Sequence, residues 1–216
     1  MGGRHYSSCP KVREAQPIAW SRSREGPIPD WDQDKAGSSQ QKPQVKPQRC
    51  SDFVSPCATQ AVLFVGAERA DEFADAMRLA CQGHDVIVIN PRETAAARAF
   101  RSTGGTFVRT RVEQLPTACC RFDVICENYP YPSGRYYVPP RIFALARLAR
   151  LAPGGRWVLF TEAARYATLL KAVGDYDEVV QRRFRVGLSI LSPGEAPLSA
   201  YPYAGTRFRL VFERRL

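Results

Sequence analysis

Residues 59–216 are expected to form one α/β domain: a mostly parallel sheet with helices on both faces, closed by an antiparallel hairpin at the C-terminus. Three observations predict this. Short apolar runs of strand length alternate with segments of helical spacing from residue 60 onward. Those runs are apolar at successive positions, as strands buried on both faces must be. The chain ends in two extended runs with no helical segment between them, which calls for an antiparallel pair.

Taken in order, 61–65 (Ala-Val-Leu-Phe-Val) is the first strand and stops at Gly66. Residues 68–82 follow with Phe73, Met77, Ala80 and Cys81 along one helical face, ended by Gly83. Residues 85–89 (Asp-Val-Ile-Val-Ile) form the second strand, closed by Asn90-Pro91. A helix over 92–102 ends at Gly104-Gly105, and 106–110 is a weaker third strand. The fourth is 122–126, Phe-Asp-Val-Ile-Cys. The span 139–152 reads as a helix, with prolines in its first turn and Ile142, Leu145, Leu148 and Leu151 spaced by three. Pro153-Gly154-Gly155 breaks it before a fifth strand at 156–160, and another helix is expected over 162–173. The terminal runs are 179–191 and 203–214. In the second, Phe208, Leu210 and Phe212 alternate with Arg207, Arg209 and Glu213. The alternation of strand and helix before these terminal runs implies a mainly parallel sheet with right-handed crossovers.

Residues 1–58 mix Gly, Ser, Pro, Gln and both charge signs without any period. This Pro/Ser/Gln-rich tail is expected to be disordered, because it has too little apolar surface to offset its conformational entropy. Trp20 and Trp31 stand out in it as residues able to dock on the domain or a partner. The protein is basic, at +10 overall, with nine basic and six acidic residues in the tail and the remaining excess on the domain. That charge suits either an ordinary solvated surface or attraction to phosphate backbones. No apolar run approaches the ~20 residues that span a bilayer, and Met1–His5 is not followed by an apolar signal segment. The expectation is a cytoplasmic protein that does not engage a membrane.

Seven cysteines occur with no C-x-x-C pair, so neither a zinc site nor a disulfide framework is expected. Cys81 and Cys126 are expected in the core, and Cys50 and Cys57 would pair only in an exported protein. The two histidines, His5 and His84, lie in the tail and a turn. No Ser/His/Asp set can be assembled, which argues against hydrolase chemistry. The G-x-G-x-x-G of nicotinamide-binding folds is missing.

Three local patterns carry a family resemblance. Residues 151–159, Leu-Ala-Pro-Gly-Gly-Arg-Trp-Val-Leu, contain an L-x-P-G-G turn ahead of a strand. Glu113-Gln114-Leu115-Pro116 precedes Phe122-Asp123-Val124, an L-P then F-D-apolar sequence. The fourth strand then runs into Glu127-Asn128-Tyr129-Pro130-Tyr131. Together with the predicted topology, these resemble the class I S-adenosylmethionine-dependent methyltransferases, whose fold is Rossmann-like, over roughly 59–216. The last pattern is similar to the Asn-Pro-Pro-Tyr tetrad of amino-group methyltransferases. The resemblance implies that Asn128 accepts hydrogen bonds from a target amine, that Tyr131 stacks on it, and that Glu127 is a further candidate for orienting it.

For the cofactor, S-adenosylmethionine, the resemblance implies contacts from Val65, Gly66, Ala67, Glu68, Asn90 and Glu113. Here the sequence departs from the family pattern. Only the first glycine of its G-x-G turn is present, with Glu68 where the second would stand. Asn90 occupies the place of the ribose-binding acid, and Arg111 aligns with the adenine-binding acid, with Glu113 two residues on. Two functions are therefore expected to compete: methyl transfer to a nitrogen of a nucleic acid or protein, and a catalytically inert binding domain of the same fold.

Overall fold

A computed structural model describes residues 47–116, 121–128, 138–162, 169, 182–192, 194–197 and 206–216. Its sheet has seven strands, all built by segments expected from the sequence: β1 (Ala61–Val65), β2 (Asp85–Ile89), β3 (Thr106–Val108), β4 (Phe122–Asn128), β5 (Leu151–Glu162), β6 (Phe184–Leu191) and β7 (Arg207–Arg214). Their order is β3-β2-β1-β4-β5-β7-β6. The first five are parallel, and β7 runs antiparallel to both β5 and β6. The helices with both ends among the described residues are α1 (Ala70–Cys81), α2 (Ala95–Ser102) and α3 (Pro140–Leu148). Of the helix expected over 162–173, Leu169 is helical and buried, and most of the remainder lies outside the described residues.

Strand alternation divides the core in two. Val62 and Phe64 of β1, Val124 and Cys126 of β4, and Val158 and Phe160 of β5 face α1 and α2, meeting Phe73, Ala76, Leu79, Ala97 and Phe100. Leu63, Ile125, Trp157 and Leu159 face the opposite way, onto Phe143, Ala144 and Leu148 of α3. A strand apolar on both faces needs a helical layer on each side, and the chain supplies both. Trp157 is fully buried, 5.9 Å from the Phe143 ring and stacked at 4.9 Å on Phe212.

Several expectations need correction. α3 ends at Leu148, well before Pro153, because Arg150 and Leu151 already pair with Phe122 of β4. The Pro-Gly-Gly turn is a bulge inside β5: the register passes from Phe122↔Leu151 to Val124↔Arg156. Gly154 takes φ +75°, and a Cβ on Gly155 would lie 2.8 Å from the Phe122 carbonyl oxygen. Only glycine permits that approach. The buried stripe of α3 is Phe143, Ala144, Arg147 and Leu148, whereas Ile142 and Leu145 are 51% and 39% exposed. A spacing of three drifts off a 3.6-residue helix, and the face that meets the sheet is the one carrying Arg147.

Segment 47–58, read from sequence as tail, packs on the domain. Cys50–Phe53 form a 3-10 turn, Cys50 and Val54 enter the core, and Asp75 of α1 accepts the Ser51 backbone N–H at 3.2 Å. Cys50 is buried near Cys126, which raises its thiol pKa through burial first and then through Cys126. Cys50 and Cys57 are both free, so the pairing considered for them is not formed. Cys81 is exposed at the end of α1, with Leu79 taking the core position instead. Residues 1–46, with Trp20 and Trp31, lie outside the described residues, as do Cys119 and Cys120. No helix among the described residues is long and apolar enough to cross a membrane.

Candidate functional site

The strand order reverses direction between β1 and β4. From β1 the chain winds outward through β2 and β3, then returns to place β4 and β5 on the other side. In open parallel sheets, the crevice at the carboxyl ends of the strands beside such a point is where ligands bind. Here those ends carry Val65 and Gly66 (β1), Asn90 (β2), and Glu127 and Asn128 (β4). Gly66 has φ +71°, is exposed, and has no atom within 4 Å of where a Cβ would stand. The turn after β1 is therefore open on the crevice side.

α1 begins directly behind that turn. Its first turn leaves backbone N–H groups without intrahelical partners. From the third position of α1 the Glu72 carboxylate reaches back over the helix start: Oε2 accepts the N–H of Glu68 at 2.9 Å and of the N-cap Arg69 at 3.0 Å. Its other oxygen, Oε1, accepts Asn128 Nδ2 at 2.8 Å. Burial pushes the Glu72 carboxyl pKa up, against these hydrogen bonds, which pull it down. Asn128 Oδ1 is buried with no hydrogen-bond partner among the described residues. Most buried acceptors in folded chains meet a donor from the protein, an ordered water or a ligand.

The sequence-predicted residues separate into those left at the crevice and those spent on the protein's own groups. Val65, Gly66, Ala67 and Glu68 line the β1–α1 turn, with Ala67 buried and Glu68 half-buried. Asn90 is 3% exposed, and both ends of its amide are engaged. Nδ2 donates to the Ala67 carbonyl at 3.0 Å, and Oδ1 accepts the Arg92 N–H at 2.8 Å. It ties the end of β2 to the turn after β1.

Glu127 is 3% exposed and receives Arg147 in a two-pronged contact, Nε at 3.1 Å and Nη2 at 2.8 Å, with Trp157 Nε1 at 3.2 Å. Glu113 pairs with the Nη1 of the same arginine. Burial pushes the Glu127 carboxyl up, with Arg147 opposing. Burial also works against the charge on Arg147, but the two carboxylates outweigh it and hold the guanidinium protonated. Arg147 also lies 3.6 Å over the Phe143 ring. Glu127 and Glu113 are therefore joined in a buried ion network with α3, which anchors the end of β4. Tyr131, with Tyr129 and Pro130, lies outside the described residues.

Two central residues were missed in the sequence. Glu72 stands four residues after Glu68 in an ordinary-looking acidic first turn, and the only available signal was its third position in α1. Arg147 gave none, since a lone arginine on a helix is usually solvated. No cluster of His, Cys, Asp and Glu able to hold a metal occurs among the described residues.

The sheet order, with its reversed β7 between β5 and β6, is that of the class I methyltransferase fold. No protein-family model matches the chain, and no curated protein matches it in sequence. Among solved structures, it is similar to TrmN from Thermus thermophilus at 18% identity and a TM-score of 0.52, over 76% of this chain and 47% of that one. It is also similar to the N-methyltransferase NodS from Bradyrhizobium japonicum WM9, at 17% identity, TM-score 0.49, over 73% of this chain and 88% of that one. A third is a 16S rRNA (adenine(1408)-N(1))-methyltransferase variant from Catenulisporales acidiphilia, at 16% identity, TM-score 0.49, over 73% and 86%.

Proposed function

We propose that this chain is an S-adenosylmethionine-dependent methyltransferase acting on a nitrogen of a nucleic acid or protein. The observation that carries the reading is Asn128 Oδ1, which has no hydrogen-bond partner among the described residues and is buried at the carboxyl end of β4, beside the open turn at Gly66. An amino group is the donor that such an atom lacks. The crevice fits the cofactor in part. Val65, Gly66, Ala67 and Glu68 form a turn with room for close approach, and Asn90 closes the β2 side. The Glu113 carboxylate is withdrawn to Arg147 and is not assigned to the cofactor.

S-adenosylmethionine supplies an electrophilic methyl group when bound. The chain's part is to hold the acceptor. A delocalised nitrogen is a poor nucleophile. Accepting its N–H on Asn128 Oδ1 favours the pyramidal form and fixes its direction. Glu127, locked to Arg147 and Trp157, holds the strand end still and does not itself meet the substrate. Tyr131, outside the described residues, is the proposed stacking face for the acceptor. The net charge of +10 favours a nucleic-acid substrate over a protein one, because phosphates need cationic anchoring.

One observation favours a second reading, an inert binding domain. The side chains at two cofactor positions serve the protein itself, Asn90 on Ala67 and Arg92 and Glu113 on Arg147, and Glu72 takes up two N–H groups of the β1–α1 turn. Calorimetric titration of the full chain with S-adenosylmethionine and S-adenosylhomocysteine separates the two. The enzyme reading expects both to bind, with labelled methyl transfer to at least one of mixed RNA, DNA or protein. Asn128→Ala should cut turnover on the order of 10²–10³-fold with cofactor affinity nearly unchanged. Binding of neither molecule would leave the inert domain as the reading.

A further inference from the structure

We propose that Glu72 is a positioning residue that sets which end of the Asn128 amide faces the crevice, and thereby selects an amino group as the methyl acceptor. The proposal rests on the methyltransferase reading for its functional consequence, but its structural core stands without it.

Glu72 gathers hydrogen-bond donors from two segments. Three N–H groups converge on its carboxylate: the backbones of Glu68 and Arg69 on Oε2, and Asn128 Nδ2 on Oε1. The two backbone donors belong to the β1–α1 turn, Arg69 being the N-cap of α1, and both are already committed to Oε2. An ionised carboxylate only accepts, so the third partner must also be a donor. The choice between the two ends of the Asn128 amide is therefore made chemically. The NH₂ end must face Glu72, and the planar group then presents Oδ1 elsewhere. That atom is buried and has no hydrogen-bond partner among the described residues. Asn128 alone is indifferent to polarity, since its two ends have nearly the same shape. Glu72, 56 residues away in sequence, removes the indifference.

The consequence is a selection by sign. An acceptor in the crevice is complementary to an amine N–H. It meets a carbonyl or an ionised oxygen with unfavourable lone-pair contact. The same link joins the β1–α1 turn, where the cofactor is placed, to the strand end that would hold the substrate. One side chain thus fixes both halves of the crevice.

Glu72→Gln in the full-length chain tests this. Gln has one accepting oxygen and one donating NH₂. If the oxygen stays on the backbone N–H groups, the NH₂ faces Asn128, which must rotate to accept it. The crevice then receives Nδ2 instead of Oδ1. Side-chain amide signals are followed by NMR on chain labelled with ¹⁵N-asparagine, with Asn128 assigned by its absence in Asn128→Ala. In wild type the Asn128 NH₂ should exchange slowly and shift away from free asparagine. In Glu72→Gln it should shift again and exchange faster.

Methyl transfer to an amine should fall on the order of 100-fold in kcat/KM in the variant, with S-adenosylmethionine affinity held within about twofold. Glu72→Asp, which keeps the charge but shortens the reach, should restore part of the amide protection if folding survives. A wild-type Asn128 NH₂ that exchanges like free asparagine would overturn the proposal whatever the variants do. An unchanged amide signal with full transfer in folded Glu72→Gln would do the same. If wild type neither binds the cofactor nor transfers methyl, yet the amide responds as expected, the positioning stands and the enzyme reading falls.

Discussion

Replacing Arg147 by Met should cost more stability than any exposed arginine could. The guanidinium sits at 5% side-chain exposure between Glu127 at 3% and Glu113 at 17%. Met keeps most of the apolar stem against Phe143 but removes two of the three donors on Glu127, leaving Trp157 Nε1. Breaking a buried pair from one side typically costs about 3–5 kcal/mol, because a charge is left in a low-dielectric interior. Domains of this kind hold about 5–15 kcal/mol in total, so the variant should fold marginally. The loss should depend on pH in a definite direction. Burial already raises the Glu127 pKa, and removing Arg147 removes the main influence lowering it. A group with a raised folded pKa supports the fold below its unfolded value and loses that support as pH rises through the folded one. The Arg147→Met deficit should therefore shrink as pH falls. Urea unfolding at several pH values measures it, read from the midpoint at constant m. Adding Glu127→Gln to Arg147→Met should recover most of the loss. A single-variant deficit below about 1 kcal/mol would refute the buried-network account, since an exposed pair is worth no more than that. So would a double variant as unstable as the single.

Gly155→Ala should destabilise by about 1–3 kcal/mol, as overpacking does, because its Cβ would meet the Phe122 and Ala152 carbonyl oxygens at 2.8 and 2.9 Å. Thermal unfolding measures this, and a neutral substitution would mean that the β4–β5 bulge is loose. Val158→Asp places a carboxyl on the fully buried face toward Phe64 and Phe160. It should abolish cooperative unfolding followed by circular dichroism, since an unpaired buried charge costs several kcal/mol. Glu72→Gln should lose stability relative to wild type most clearly at low pH. Burial raises the Glu72 pKa, with Asp71 adding to it and the turn N–H groups and Asn128 opposing. Wild type is thus favoured below the ordinary carboxyl range and surrenders that advantage as pH rises. Denaturation curves from about pH 4 to 8 would show the gap narrowing upward, and a widening gap would reverse the assignment.

The order of elements was legible in the sequence because it depends on local pattern. Val62 to Val65 and Val86 to Ile89 are apolar on both faces, and only a sheet covered on two sides buries such strands. The alternation through Phe208, Leu210 and Phe212 marked the final antiparallel strand. Gly66 was legible as a turn, since a glycine ending a buried strand has few other uses.

The partners of the site residues were not legible. Arg147 meets Glu127 across 20 residues and Glu113 across 34, and Glu72 meets Asn128 across 56. Charge attraction acts through space, and no spacing along the chain encodes it. Tertiary structure also decided that Cys50 and Val54 join the core while Cys81 stays outside. Composition averages over a segment, whereas burial depends on which side of one helix turn meets the sheet. The residue types at the end of β4 were thus set by the sequence. Whether each faces the crevice or the protein's own charges was set by the folding of α1 and α3 against the sheet, because only there do donors from distant segments compete for the same acceptors.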